Sequence, residues 1–334
     1  MGKKAVILAN VGTPDSPKKS DVSRYLLEFL GDKRVIDYPW LLRKILVNLI
    51  IVPFRVSKSS KLYERLWDDK GSPLLYHSES LRAKLSDKLG ENFDVFNTMR
   101  YGSPSLEKLL KSAQLSNYEE LIFVPMFPQY ASSTSGTVVE LIYEEMRKKN
   151  VIQNIKVIGQ FYAHPGFIDC FAENISKFDL KSYDFIMFTY HSLPISHIDS
   201  VHPNIEYKSC NCIDEFPNHG TYCYKATCYE TTRKLILKLN IDKSKTITSF
   251  QSRLTKNWVT PFSDEVIIDY AKKGMKRGLI IAPSFTTDCL ETIIELENDY
   301  GQLFRENGGE VLDMVPSLND NDSFAKFLSE LVKS

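Results

Sequence analysis

Short apolar runs recur along the chain at 5–11 (AVILANV), 93–100, 120–125, 156–161, 184–189, 246–251 and 278–283. Their length and their bracketing by turn-forming residues predict β-strands. Between them, 105–113, 137–148, 167–177, 231–239 and 263–272 space their apolar residues in the helical manner. Strand and helix patterns that alternate along the whole length predict an α/β fold with parallel sheets. The alternation runs twice, with a break near residue 155. The expectation is therefore two doubly wound, Rossmann-like domains, 1–155 and 156–334. No G-x-G-x-x-G follows the first run, so an ordinary dinucleotide fold is not supported.

Two stretches depart from this rhythm. In 40–54, Leu41, Leu42, Ile45, Leu46, Leu49 and Ile50 share a helical stripe, with Arg43, Lys44 and Asn48 off it. The stripe is too short and too interrupted to span a bilayer, which takes roughly 20 apolar residues. It is either a core-packed helix or an apolar surface feature. The other stretch, 195–224, has no period and carries three cysteines, three histidines and two prolines. An irregular stretch of that length inside a compact domain is usually functional or tied down.

The chain has 334 residues, more than one hydrophobic core usually organises. Its 42 Lys plus Arg balance 42 Asp plus Glu. That balance gives no reason to expect a nucleic-acid partner. Lys3 and Lys4 lead into a run too short for a signal peptide, so a cytoplasmic location is expected. In a reducing compartment cysteines are thiols or metal ligands before they are disulfides.

Candidate chemistry sits where two of the predicted strands end, the place where open α/β sheets bind ligands. His191 follows the run FIMFTY; imidazole, with an ordinary pKa of about 6.5, is suited to take a proton near neutrality. After GLIIAPSF, Asp288 and Glu291 have capping-box spacing. Glu291, Glu295 and Asp299 then recur every fourth residue, which places three carboxylates on one helix face, either a solvated face or a cation path. Cys210, Cys212, Cys223 and Cys228 form C-x-C-x10-C-x4-C, a metal-binding signal in one loop. Zn²⁺ on four thiolates is one reading, with His202 or His219 able to stand in as a ligand. Cys170, in a helical pattern, is expected to be a small core residue.

Seven segments in order, LANVGTPDSP, GSPLLYHSESL, MRYGSPS, FVPMFPQYASSTSG, FTYHSLP, FQSRLTKNWVTPFSDE and APSFTTDCLETIIEL, span nearly the whole chain. Together they resemble the ferrochelatases, and the DCLET form is most similar to the Gram-negative enzymes. The resemblance implies insertion of Fe²⁺ into protoporphyrin IX, or a close porphyrin, to form haem, in an active-site cleft between the two domains. It implies that His191 and Glu291 are catalytic and meet the Fe²⁺ substrate, with Asp288, Glu295 and Asp299 as an acidic path. Arg65, Arg100, Tyr101, Tyr130, Trp258 and Phe285 would bind the porphyrin. Cys289 stands where the animal enzymes carry histidine, so an essential ligand is not expected there. The four-cysteine segment resembles that of bacterial members holding a [2Fe–2S] cluster, with structural Zn²⁺ as the alternative. The 40–54 stretch resembles a lip over the cleft that can rest on a membrane surface.

Two competing functions fit the same residues. A chelatase of this fold acting on another tetrapyrrole or metal is separated by metal-competition assays. A non-catalytic haem or iron–sulfur sensor is separated by turnover, and the intact His191 and Glu291 argue against it.

Overall fold

The computed structural model describes residues 2–202 and 204–334. The chain forms two compact units. The first comprises the residues up to Phe127, Ala131–Gly159 and Asp320–Ser334; the second comprises Pro128–Tyr130 and Gln160–Asn319.

In the first unit β1 (Lys4–Thr13), β2 (Phe93–Gly102), β3 (Glu120–Pro125) and β4 (Asn154–Val157) form one parallel sheet in the order β2-β1-β3-β4. In the second, β5 (Phe185–His191), β6 (Thr246–Gln251), β7 (Arg277–Ile281) and β8 (Val311–Met314) form another, in the order β6-β5-β7-β8. The winding is the same in both. The chain leaves the first strand to one side, then returns to the other. This creates a switch point at the carboxyl ends of β1 and β3, and of β5 and β7. Phe185 through Tyr190 are all buried, as expected of a parallel strand covered on both faces. Phe185, Met187, Ile280, Leu296 and Phe304 belong to the core of this unit, and Ile7, Phe123, Val138 and Ile142 to that of the first.

The expected α/β class and doubly wound sheets are observed. The first unit also reclaims the chain's last residues. The helix Asp322–Lys333 packs beside Pro73–Leu89, and Asp320 at its start accepts hydrogen bonds from His77 Nδ1 (2.8 Å) and Ser80 Oγ (2.7 Å). The division expected at 155 therefore needs this return crossing at 320. Gly12 shows what one motif glycine is for. It adopts φ 112°, and a Cβ there would lie 1.8 Å from the Tyr101 carbonyl oxygen on β2.

The 40–54 stretch is helical, with a wider π-type turn at Leu46–Ile51 between Trp40–Ile45 and Val52–Leu66. Only Val47 and Val52 of its apolar residues are buried. Trp40, Leu41, Leu42, Leu49, Ile50 and Phe54 are exposed, Phe54 at 83%. The stripe is thus a surface feature and not a core helix. No described helix is long and apolar enough to cross a membrane.

Candidate active site

His191 is the last residue of β5, at the switch point of the second sheet. Its Nδ1 lies 2.6 Å from the Ser192 carbonyl oxygen. A carbonyl only accepts, so Nδ1 is the donor here and Nε2 is the nitrogen not engaged by this contact. The loop beyond is held by backbone pairing: Ile195 N–H donates to Asn257 O (3.0 Å) and Val259 N–H to Leu193 O (2.9 Å). That pairing sets the half-buried Trp258 ring 6.3 Å from the imidazole, centroid to centroid.

The carboxylates come from the neighbouring strand. After β7 a loop leads into Glu291–Asp299, a π-helix of nine residues. Such helices mostly occur as single-turn bulges, frequently at functional sites. The capping box expected of Asp288 and Glu291 does not form. Asp288 instead accepts from Asn319 Nδ2 (2.6 Å) and Ser317 N–H (3.2 Å), which ties the loop to a segment some thirty residues on. The helix start is closed by Thr292, whose hydroxyl accepts from Cys289 N–H at 2.9 Å. Glu291 is therefore not occupied as a cap. Its Oε2 accepts from the Cys289 thiol at 3.1 Å, and burial and the Glu291 charge push that thiol well up. Cys289 thus remains a protonated donor to Glu291.

Glu295 is held by three donors. It accepts from Ser252 N–H (3.1 Å), Ser252 Oγ (2.5 Å) and Tyr300 OH (3.1 Å). Burial raises its proton affinity; the Ser252 hydrogen bonds oppose this, the Glu291 charge adds to it, and His191 opposes it. The net direction is upward. His191, Glu291 and Glu295 thus form one electrostatic group, and Asp299 ends the same helix half-buried. Phe285 and Tyr130 are half-buried in the same unit. Tyr130 packs its ring edge-on against Tyr222, and its N–H donates to Gln160 Oε1 (3.0 Å).

In the first unit Arg100 and Tyr101 end β2 and converge on Asp32, a residue that sequence reasoning missed. Arg100 Nη2 (2.7 Å) and Tyr101 OH (2.9 Å) share one carboxylate oxygen, to which Thr137 Oγ1 also donates (2.5 Å). Burial alone would raise the Asp32 pKa; the hydrogen bonds and the Arg100 charge outweigh it and hold the carboxyl below its ordinary range. Tyr101 is itself buried, while Arg65 lies exposed at the end of Val52–Leu66. Ser252 and Tyr300 were missed as well. Neither residue type nor spacing marks them; they matter through Glu295 alone.

The cysteine segment folds as short turns, Tyr207–Ser209 and Gly220–Tyr222, before the helix Tyr224–Leu239. Cys210, Cys212, Cys223 and Cys228 are all buried thiols, unpaired as disulfides. Cys223 caps the helix and accepts from Ala226 N–H at 3.4 Å. A hydrogen bond from Cys212 lowers the Cys223 pKa and raises that of Cys212, so Cys223 is the more readily ionised of the two. Lys225, 4% exposed, sits over the Tyr207 ring at 4.3 Å and favours the ionised forms of Cys210 and Cys212. Cys170 is buried in Pro165–Ile175, as expected.

Comparison with known proteins identifies the family. The family model described as Ferrochelatase matches residues 3–334. A ferrochelatase of Coxiella burnetii is 39% identical over 99% of this chain and 93% of its own length. One from Legionella pneumophila is 37% identical over 99% and 98%. Among solved structures, SirB from Bacillus subtilis with Fe³⁺ superposes with a TM-score of 0.55 at 11% identity, covering 99% of this chain and 94% of that one; the likeness is one of fold. With a family match across the chain and full-length relatives at this identity, the chain belongs to the ferrochelatase family.

Proposed function

We infer that the protein inserts Fe²⁺ into a porphyrin, protoporphyrin IX or a close relative, to form haem, and that the His191–Glu291–Glu295 group does the chemistry. The observation that carries the reading is His191 at the switch-point end of β5, with Nδ1 engaged by the Ser192 carbonyl at 2.6 Å so that Nε2 is the nitrogen left for a substrate. Insertion displaces two pyrrole protons. Nε2 is placed to take one of them as a general base, and the Glu291 carboxylate is the acceptor for the other. Imidazole and carboxylate bind Fe²⁺ without the trapping that several thiolates would cause, so the ion can be handed on. Glu291, held by one thiol donor, is the acid beside the base; Glu295 and Asp299 continue the carboxylate row. Arg65, Arg100, Tyr130, Trp258 and Phe285 are the residues proposed to bind the porphyrin; Tyr101, expected among them, is 1% exposed and, with Asp32, instead holds Arg100 in place. The test is turnover with ferrous iron and protoporphyrin. His191→Ala should abolish insertion while porphyrin still binds; near-normal turnover in that variant refutes the role.

The four thiols are proposed to hold a [2Fe–2S] cluster. They are buried and unbridged, Cys212 is hydrogen-bonded to both Cys210 and Cys223, and the Lys225 charge favours the ionised forms of Cys210 and Cys212. The cluster's chemistry is electron storage, which insertion does not need; its contribution here is to order the loop. Iron and acid-labile sulfide in equal amounts in the purified protein support it. Zinc in their place moves the site to the structural-zinc class. The exposed apolar residues of 40–54 are proposed to rest on a membrane surface as a peripheral attachment.

A further inference from the structure

Two histidines of the cysteine segment have no task in the reading above. His202 is 3% exposed, and neither of its ring nitrogens has a hydrogen-bond partner among the described residues. A buried imidazole without a partner is costly and calls for an explanation. Its ring lies edge-on to that of His219, 4.7 Å away. His219 Nε2 in turn lies 3.3 Å from Cys210 Sγ. One nitrogen from each histidine and the Cys210 sulfur all lie within 4.8 Å of one another. Tetrahedral ligation at about 2.0–2.3 Å places donors roughly 3.5 Å apart, so a small inward shift of these three would close them on one ion.

The surroundings decide what kind of site this is. His219 is half-buried and lines a cavity of about 640 Å³ together with Tyr130, Val201, Asn218, Thr221 and Tyr222. Of the three donors His219 lines that cavity, which gives a further ligand a route to an ion held there. Structural zinc sites are closed by four protein ligands, whereas sites that exchange ligands keep one position open. Mixed nitrogen and sulfur donors select borderline divalent ions over Mg²⁺ or Ca²⁺.

We propose that His202, Cys210 and His219 form an open mononuclear site for a divalent late first-row transition ion, a second metal site of the chain, distinct from His191 and Glu291. Cys210 belongs both to this set and to the four thiols, so the site and a four-thiolate cluster exclude each other. The segment takes the ion when it carries no cluster. The proposal does not depend on the cluster reading, which is judged separately by iron and sulfide in the protein as purified.

The experiment is Co²⁺ titration of the full chain, reduced and stripped by chelator. The expected result is a thiolate-to-cobalt charge-transfer band that saturates at one Co²⁺ per chain, whatever further Co²⁺ the His191–Glu291 group takes without such a band. Cys210→Ser should lose that band. His219→Ala, at a half-exposed position that folding tolerates, should weaken binding by more than the roughly 10–100-fold that loss of an outer-shell partner costs. His202→Ala should do the same, with its circular dichroism confirming the fold. Cys228→Ser should retain the band. Wild-type affinity in His219→Ala overturns the site. So does a band that survives Cys210→Ser and vanishes in Cys212→Ser or Cys228→Ser, which would place the ion on the thiols alone.

Discussion

Ser252 gives both its backbone N–H and its hydroxyl to the Glu295 carboxylate, at 3.1 and 2.5 Å. It does so from a left-handed backbone conformation, φ 61°, that a side-chain-bearing residue rarely adopts. Such strain persists where the surrounding structure over-determines it. Here it aims two donors at one acid, so Ser252 acts as a positioning residue. Ser252→Ala keeps the backbone donor and loses the other. Because the Ser252 bonds hold the Glu295 pKa down against burial, their loss moves it further up. The limb of the kcat–pH profile that reports ionised Glu295 should shift to higher pH, and kcat at neutral pH should fall about tenfold, the scale of one hydrogen bond to a charge. A lower rate with an unmoved profile would mean a purely structural role.

Glu291 and Glu295 should separate by readout. Glu291 closes no capping box, so Glu291→Gln should leave the melting temperature nearly unchanged while removing most of the activity. Glu295→Gln should cost less activity. If Glu291→Gln instead loses stability and keeps its rate, the carboxylate serves the fold.

The apolar stripe offers a test by exposure. Leu49 and Phe54 are 69% and 83% exposed. Replacing both with Ser should change stability by no more than about 0.5 kcal/mol each, the usual range for surface positions. Liposome flotation should fall, and transfer of lipid-borne porphyrin should slow. Unchanged flotation removes the membrane role.

Asp320 fastens the last helix to the first unit. Burial opposes its ionisation, but hydrogen bonds from Ser80, His77 and Lys84, with the Lys84 charge, hold its pKa well below the ordinary value. A depressed acid stabilises the fold above its unfolded pKa of about 3.9, and that stability is lost as pH falls towards the folded value. Asp320→Asn should therefore cost about 1.5–3 kcal/mol at pH 7, the scale of a hydrogen bond to a charged group. In denaturant titrations the gap to wild type should hold from pH 7 to about 5 and narrow below about 4. A gap independent of pH would place the effect in packing.

Much of this fold can be read in the sequence because its strands are buried and near-continuously apolar. β8, Val311–Met314, was missed: it has four residues, with Asp313 among them, and too short a run to stand out. The strand expected at 156–161 is found at Asn154–Val157. Its apolar residues run on past the ladder into a loop whose amides are used individually, Ile158 N–H to Phe123 O and Phe161 N–H to Pro128 O. Local pattern also could not show that Asp288 prefers Asn319 to a helix start, since the partner is remote in sequence. Nor could it show which way the 40–54 stripe faces. The places of His191 at a strand end and of Glu291 at a helix start could be read from pattern and motif; the contacts of Ser252, Tyr300 and Asp32 became visible only once the chain was folded around them.

The two sheets are wound in the same order, so each unit offers an equivalent mouth at the end of its first and third strands. The two mouths carry different side chains. β5 ends in His191, and the chain leaving β7 runs into Glu291 and Glu295, whereas β1 ends at Thr13 and β3 at Pro125, neither of which titrates. The architecture is therefore indifferent to the chemistry, and a handful of side chains at one of two interchangeable addresses breaks the tie. Transplanting those side chains to the twin address would be the direct measure of how much of the activity the scaffold itself contributes.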